Sequence, residues 1–311
     1  MSESAWITGK LPIHRASVLG RLALGAVVIV AGMPGATVVI SVTTASTAQA
    51  ATQPPSTIST QDWLGEVNYY RTGSRLQPVV DQPAWEQGIQ DHLAYLARTP
   101  RQLFTGAYQS MHTENPESPY YTPDGAKEGA SSNLAELFAG STPTDYIDEW
   151  LSGPFHAAGM LRPGLQSVAF ASAEGYGGLD VLSGLNYQPP SLVLFPGPGT
   201  ITDLPVFAGG EHPDPTRTCS SIPGLGEPGA NAVGLPLVML LPAAPSSLLT
   251  AQMTTPSGDT ETSSSGALCI VDSNTYVSSD AVYGPTGAEI LRATTLCSSS
   301  HGILLSQGPT R

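Results

Sequence analysis

The sequence predicts an α+β protein. Three observations lead there: apolar residues at helical spacing between residues 59 and 98 and again near 144–151, a switch after Pro163 to short β-type runs bounded by Gly or Pro, and the order itself, helices first and strands after. Hydrophobic residues make up 41% of the 311 positions, enough for a sizeable core, while 33 glycines and 28 prolines predict many turns. That length predicts two domains once any export segment is removed.

The N-terminus carries Lys10, Arg15 and Arg21, then an apolar run from Leu22 to Val42 broken by Gly32, Pro34 and Gly35, then Ala48-Gln49-Ala50. Basic, apolar and A-x-A in that order is the layout of a secretory signal, with cleavage expected after Ala50. Residues 1–50 are therefore read as a signal peptide and residues 51–58, rich in Pro, Ser and Thr, as a disordered spacer. The expected location is secreted, with the cell envelope as the other option and no stable membrane span once the signal is cut.

In the mature part, Ser59 or Thr60 is expected to cap a first helix whose Trp63, Val67 and Tyr70 share a face and which ends at Gly73. Asp81 before Pro83 opens a second helix with Trp85, Ile89, Leu93 and Leu96 on one stripe and Pro100 beyond its end. The polar stretch from Ser110 to Ser132 reads as a long loop, with 131–135 as a short turn. A third helix, capped by Thr144, runs to Leu151 and buries Ile147 and Trp150. Strands are expected at Ser167–Ala173, Gly178–Leu185 and Ser191–Phe195.

The spacing of Pro and Gly makes residues 198–234 a linker. Beyond it, short runs at Leu235–Leu241, Leu248–Thr255, Ala267–Asp272, Glu289–Thr295 and Gly302–Ser306 suit a small sandwich-like β domain over 235–311. Cys219, Cys269 and Cys297 all lie in the last third, so one disulfide and a spare thiol are expected. Spacing leaves the pairing open, although Cys269 and Cys297 fall in runs that are candidates for neighbouring strands. No Cys-x-x-Cys supports a structural zinc site.

Composition and motif exclude several functions. The formal charge of −13 becomes −15 without Glu3, Lys10, Arg15 and Arg21, and such a surface repels nucleic acid and anionic lipid. There is no Gly-x-Ser-x-Gly elbow, no triad in a strand–turn–helix context and no phosphate loop. The cysteines lie far along the chain from His112 and His156, which argues against a thiol nucleophile.

Several segments in order resemble the CAP superfamily (cysteine-rich secretory proteins, antigen 5, pathogenesis-related proteins), in its bacterial secreted branch. Val67-Asn68-Tyr69-Tyr70-Arg71 is similar to the family's N-x-x-R helix, and Asp91-His92-Leu93-Ala94-Tyr95 to its second helix. His112 and Trp150-Leu151-Ser152-Gly153-Pro154-Phe155-His156 match its two histidine positions. The resemblance spans about residues 60–197 and implies an α-β-α sandwich over 59–197, with a cavity of two histidines and two acids and, in some members, a divalent metal. Where the family commonly has Gly-Glu-Asn, this chain has Ser131-Ser132-Asn133, without a carboxylate.

His112 and His156 are accordingly the expected cleft pair, with Glu114 or Glu149 as substitute acids and Asn133 fixing the turn by side-chain to backbone bonds. Against this stands the blander reading of each residue: histidines bonded to loop backbone, Glu149 a solvated acid at the rim beside Trp150, Glu114 paired within its loop. His92 reads as a satisfied helix residue, and His212 and His301 receive no role. No cofactor is expected, with zinc or a similar ion at His112 and His156 as the one option. The first functional reading is a non-enzymatic, exported domain that binds an unidentified ligand or protein in the two-histidine cleft. The second is a metal-assisted hydrolase and the third an envelope structural or attachment protein.

Overall fold

The computed structural model describes residues 27–29, 39–43, 59–189, 191–202, 204, 206–207, 209–219, 233–242, 250–254, 260–263, 268–291 and 294–299. The expected cleavage site after Ala50, the 51–58 spacer, His301 and the run Gly302–Ser306 lie outside them. Two strands fall inside the segment read as an export signal: β1 (Val27–Ile29) and β2 (Val39–Thr43), paired antiparallel.

Helix α1 (Trp63–Gly73) is capped by Asp62, whose Oδ1 accepts from Gly65 N at 2.9 Å. The cap thus lies two or three residues beyond Ser59 and Thr60, because Asp62 is placed one residue before the first apolar position. Val67 and Tyr70 are buried as their spacing predicts. Two polar residues of the same helix do more. Asn68 exchanges two hydrogen bonds with Val79, donating Nδ2–H to its carbonyl (3.0 Å) and accepting its N–H (2.8 Å), as a neighbouring strand would.

Arg71, 1% exposed, has no carboxylate as its hydrogen-bond partner among the described residues. It donates instead to four backbone carbonyls: Nε to Gln77 (3.1 Å), Nη1 to Met160 (2.5 Å) and Arg162 (3.2 Å), and Nη2 to Leu165 (3.0 Å). Burial lowers its pKa to about 10, still far above neutrality, so the cation persists.

Strand β3 (Val80–Asp81) leads through a 3₁₀ turn at Pro83–Trp85 to α2 (Glu86–Arg98). Ile89, Leu93 and Leu96 are buried on the predicted stripe, and each such side chain contributes about 1.5–3 kcal/mol by leaving water. The expected loop then breaks into an irregular stretch and a helix, α3 (Pro123–Ser131), capped by Thr122 with Pro123 in its first turn. No apolar stripe announces α3, because its buried face is Gly125, Glu128 and Gly129. A Cβ on Gly125 or Gly129 would collide with Glu114 or His92, so the absence of side chains is what lets α3 lie against α2.

The expected turn at 131–135 is strand β4 (Ser132–Glu136). Helix α4 (Pro143–Ser152) is capped by Thr142, not Thr144: Thr142 N donates to Asp145 Oδ2 at 2.6 Å in a capping box, and Pro143 takes the first helical position. Gly153 separates it from α5 (Pro154–Met160). Strands β5 (Ser167–Ala173) and β6 (Tyr176–Asp180) follow, the latter ending five residues before the predicted Leu185 because Asp180 caps a turn through Leu182 N and Ser183 N.

The sheet order is β3-β5-β6-β4, antiparallel except for β3 beside β5. Its two faces carry different helices. Ala169 and Ala171 pack with Ile89, Leu93 and Tyr95 of α2, while Val168 and Phe170 pack with α1, α4 and α5 through Tyr70, Ile147, Trp150 and Met160. Alternation along β5 thereby builds the expected α-β-α sandwich.

The remainder adds β7 (Val193–Phe195), β8 (Val206–Phe207), β9 (Val233–Gly234), β10 (Leu237–Leu240), β11 (Thr250–Thr254), β12 (Thr260–Thr262), β13 (Leu268–Val271), α6 (Gly284–Ile290) and β14 (Thr294–Ser299). Glu289–Thr295, expected as a strand, is instead the end of α6 and the start of β14. A second antiparallel sheet runs β13-β14-β10-β7, and β11 pairs with β12 and, in parallel, with β2. Leu204 and Phe207, within the stretch read as a linker, share one core cluster with Val67 and Trp150, as do Val238 and Val271. The disulfide joins Cys219 to Cys269. Cys269 and Cys297 do lie on adjacent strands, but the ladder pairs Cys297 with Ile270, one residue out of step.

Arg71→Met removes every donor from four carbonyls, and Arg71→Lys cannot span them. Both variants are expected to lower the urea unfolding free energy, the first by about 4 kcal/mol and the second by less. Cys219→Ser releases a link across 50 residues of sequence and is expected to cost up to about 4 kcal/mol by chain entropy, read from the same unfolding curves.

Candidate functional site

His156 sits in the first turn of α5, where Gly153-Pro154 starts the helix. Its ring is bound by an acid that no local pattern announces: Glu211 Oε1 accepts from His156 Nδ1 at 2.7 Å and from His156 N at 2.8 Å. Glu211 is buried, with Oε2 lacking a partner among the described residues. Gly153 makes the approach feasible, since a Cβ there would press on Glu211 Oε1. Asn133, on β4 and not in a turn, donates Nδ2–H to the His156 carbonyl at 3.1 Å and so ties the sheet to α5.

Glu149 is not a fully solvated rim acid. Burial raises its pKa, with Glu211 nearby raising it as well and His156 opposing, so the three groups form one electrostatic neighbourhood.

His112 lies in the irregular stretch before α3 and aims Nδ1 at the carbonyl of Gly129, 3.0 Å away. A carbonyl only accepts, so Nδ1 carries the hydrogen and Nε2 the lone pair. Burial, with the neighbouring His156 and His92 acting in the same direction and the Gly129 hydrogen bond opposing, lowers this imidazole's pKa to about 4, and His112 is neutral at pH 7. Tyr283, just before α6, presents its ring to His112 edge-on at 6.3 Å and to His212 at 5.8 Å, while its hydroxyl accepts from Met111 N at 2.8 Å. His112 and His156 thus lie within each other's field, and residues 211 and 283 reach them from the C-terminal part of the chain.

Glu114 belongs elsewhere. It forms a fully buried pair with His92, Nδ1 to Oε1 at 2.8 Å, and its other oxygen accepts from Thr122 N at 3.1 Å. His92 Nε2 donates to the Met111 carbonyl at 2.8 Å, so the ring is saturated and one proton is shared between His92 and Glu114. The pair fastens α2 to the start of α3.

A second buried acid pair was not foreseen. Glu128 of α3 and Asp180 at the end of β6 are both buried, and burial together with Asp180 raises the Glu128 pKa to about 7 against the pull of Lys127.

The expected metal option fails a test of fit. Among the described residues no three His, Cys, Asp or Glu side chains gather as an ion requires. Glu114, one of the two substitute acids, is spent on His92. Neither histidine ring is hydrogen-bonded to a hydroxyl or thiol among the described residues. Sequence reasoning missed Glu211 because its contact spans 55 positions. The local signal was present, an acid beside His212 and Asp214 in a chain poor in charge, but nothing in it pointed to His156.

Residues 64–187 match the family described as CAP, the cysteine-rich secretory protein family. No curated protein and no solved structure matches the chain. Both cleft histidines lie inside the matched stretch, and Glu211 and Tyr283 lie outside it.

The two shifted groups oppose each other in pH dependence. His112, lowered from 6.5 to about 4, withdraws stability as pH falls through that window, because the unfolded chain takes up the proton first. Glu128, raised from 4.5 to about 7, withdraws stability as pH rises through nearly the same window. Each is worth up to roughly 3 kcal/mol. Urea unfolding from pH 4 to 8 is expected to show stability falling with rising pH in His112→Asn relative to wild type, and rising in Glu128→Gln. Parallel profiles for all three proteins contradict these assignments.

Proposed function

We propose that this chain, whose residues 64–187 match the CAP cysteine-rich secretory protein family, is an exported, non-enzymatic protein that binds a ligand or partner at a cleft between His112 and His156. One observation carries the reading: both imidazoles are anchored through Nδ1 by protein acceptors, and neither stands beside a nucleophile among the described residues. Such a site orients polar groups without supplying a bond-forming atom. The basic–apolar–A-x-A order of the N-terminus and the Cys219–Cys269 disulfide support export, since disulfides persist in oxidising compartments.

A hydrolase is the second reading, favoured by the carboxyls of Glu149 and Glu211 around His156. Attachment to the cell envelope through the C-terminal part is the third reading, tested by whether the protein fractionates with the wall.

Expression of the full chain in a secreting host is expected to yield medium-borne protein beginning at Ala51 by intact mass. Retention with Met1 present overturns export. In equilibrium dialysis against zinc the protein is expected to take up well under one equivalent, unchanged in His112→Ala and His156→Ala. One equivalent lost in both variants replaces the first reading by the hydrolase.

A further inference from the structure

We infer that Glu211, beyond the family-matched stretch, is the positioning residue of the histidine cleft: it holds His156 as the Nδ1–H tautomer, so that both imidazoles offer Nε2 lone pairs and the cleft takes a ligand presenting hydrogen-bond donors. The inference rests on the proposed cleft reading for its ligand and on geometry alone for Glu211.

An ionised carboxylate has only acceptor oxygens, so the 2.7 Å contact requires the hydrogen on His156 Nδ1, and in the neutral ring Nε2 is bare. The same oxygen accepts His156 N at 2.8 Å, which fixes the carboxylate against the backbone as well as the ring. At His112 a carbonyl, Gly129 O, does the same work from a different element. Two unlike acceptors impose one tautomer on both rings. Neither Nε2 has a hydrogen-bond partner among the described residues.

The surroundings add acceptors and negative charge. Glu211 Oε2 is buried and unpartnered among the described residues, on a side chain 2% exposed, and Glu149 shares its field. A phosphate or carboxylate would bring further acceptors and like charge to such a place, which is unfavourable on both counts. Hydroxyl or ammonium groups would instead donate to the bare nitrogens. The ring of Tyr283 supplies an apolar wall beside His112, its hydroxyl being held by Met111 N.

The test uses the full exported chain with ¹⁵N-labelled histidine at pH 7.5, with tautomers read from long-range ¹H–¹⁵N correlations. His156 is expected as Nδ1–H in the wild type and to lose that preference in Glu211→Gln and Glu211→Ala, while His112 keeps its own tautomer as an internal report of folding. A wild-type His156 that is Nε2–H or doubly protonated overturns the role of Glu211, even where the variants do not fold. So does an unchanged tautomer in both folded variants. Titration with methyl α-glucoside, ethanolamine and inorganic phosphate then separates hydroxyl, ammonium and anion. Ring ¹⁵N shifts at His112 and His156 are expected with at least one donor probe and not with phosphate. Shifts with phosphate, or with none of the three, overturn the ligand class and leave the tautomer result standing.

Discussion

The burial of one cation, Arg71, is the constraint on which the sandwich depends. A guanidinium removed from water must find acceptors for its donors, and this one takes four carbonyls from two separate segments. Two of those segments' carbonyls, of Met160 and Arg162, belong to the end of α5 and the residues after it. Helix α1 is thereby locked to α5, while Asn68 one turn earlier locks it to Val79. Because α5 is only seven residues long, fixing its end also fixes its beginning, where His156 lies.

Acceptors behind donors recur throughout the interior. His156 leans on Glu211, His112 on Gly129, and His92 on Glu114 and Met111. A chain with 12 Lys and Arg among 311 residues has few cations for its buried acids: Lys127 meets Glu128, while Glu114 and Glu211 are paired with imidazoles. Those acceptors set which ring nitrogen of His112 and His156 carries the hydrogen.

The C-terminal part completes this arrangement. Leu204 and Phe207 enter the same core as α1 and α4, β7 joins the second sheet, and Glu211 and Tyr283 supply the cleft with groups that residues 64–187 lack. Glu211, 55 positions beyond His156, brings a carboxylate to that ring.

By itself the sequence determined the α+β class, α1, α2, α4 and β5, since each writes its buried face as a period of 3.6 or 2, and it singled out His112 and His156 by their place among ordered segments. It did not reveal α3, whose packing face is Gly125, Glu128 and Gly129 and so leaves no apolar trace, nor the true caps Asp62 and Thr142, which lie one position before the helices that propensity blurs. Tertiary structure alone decided that Glu114 serves His92, that Glu211 serves His156 and that Cys219 bonds Cys269. Those are contacts between residues 22 to 55 positions apart, set by how helices and loops close on one another, and no local pattern encodes such closure.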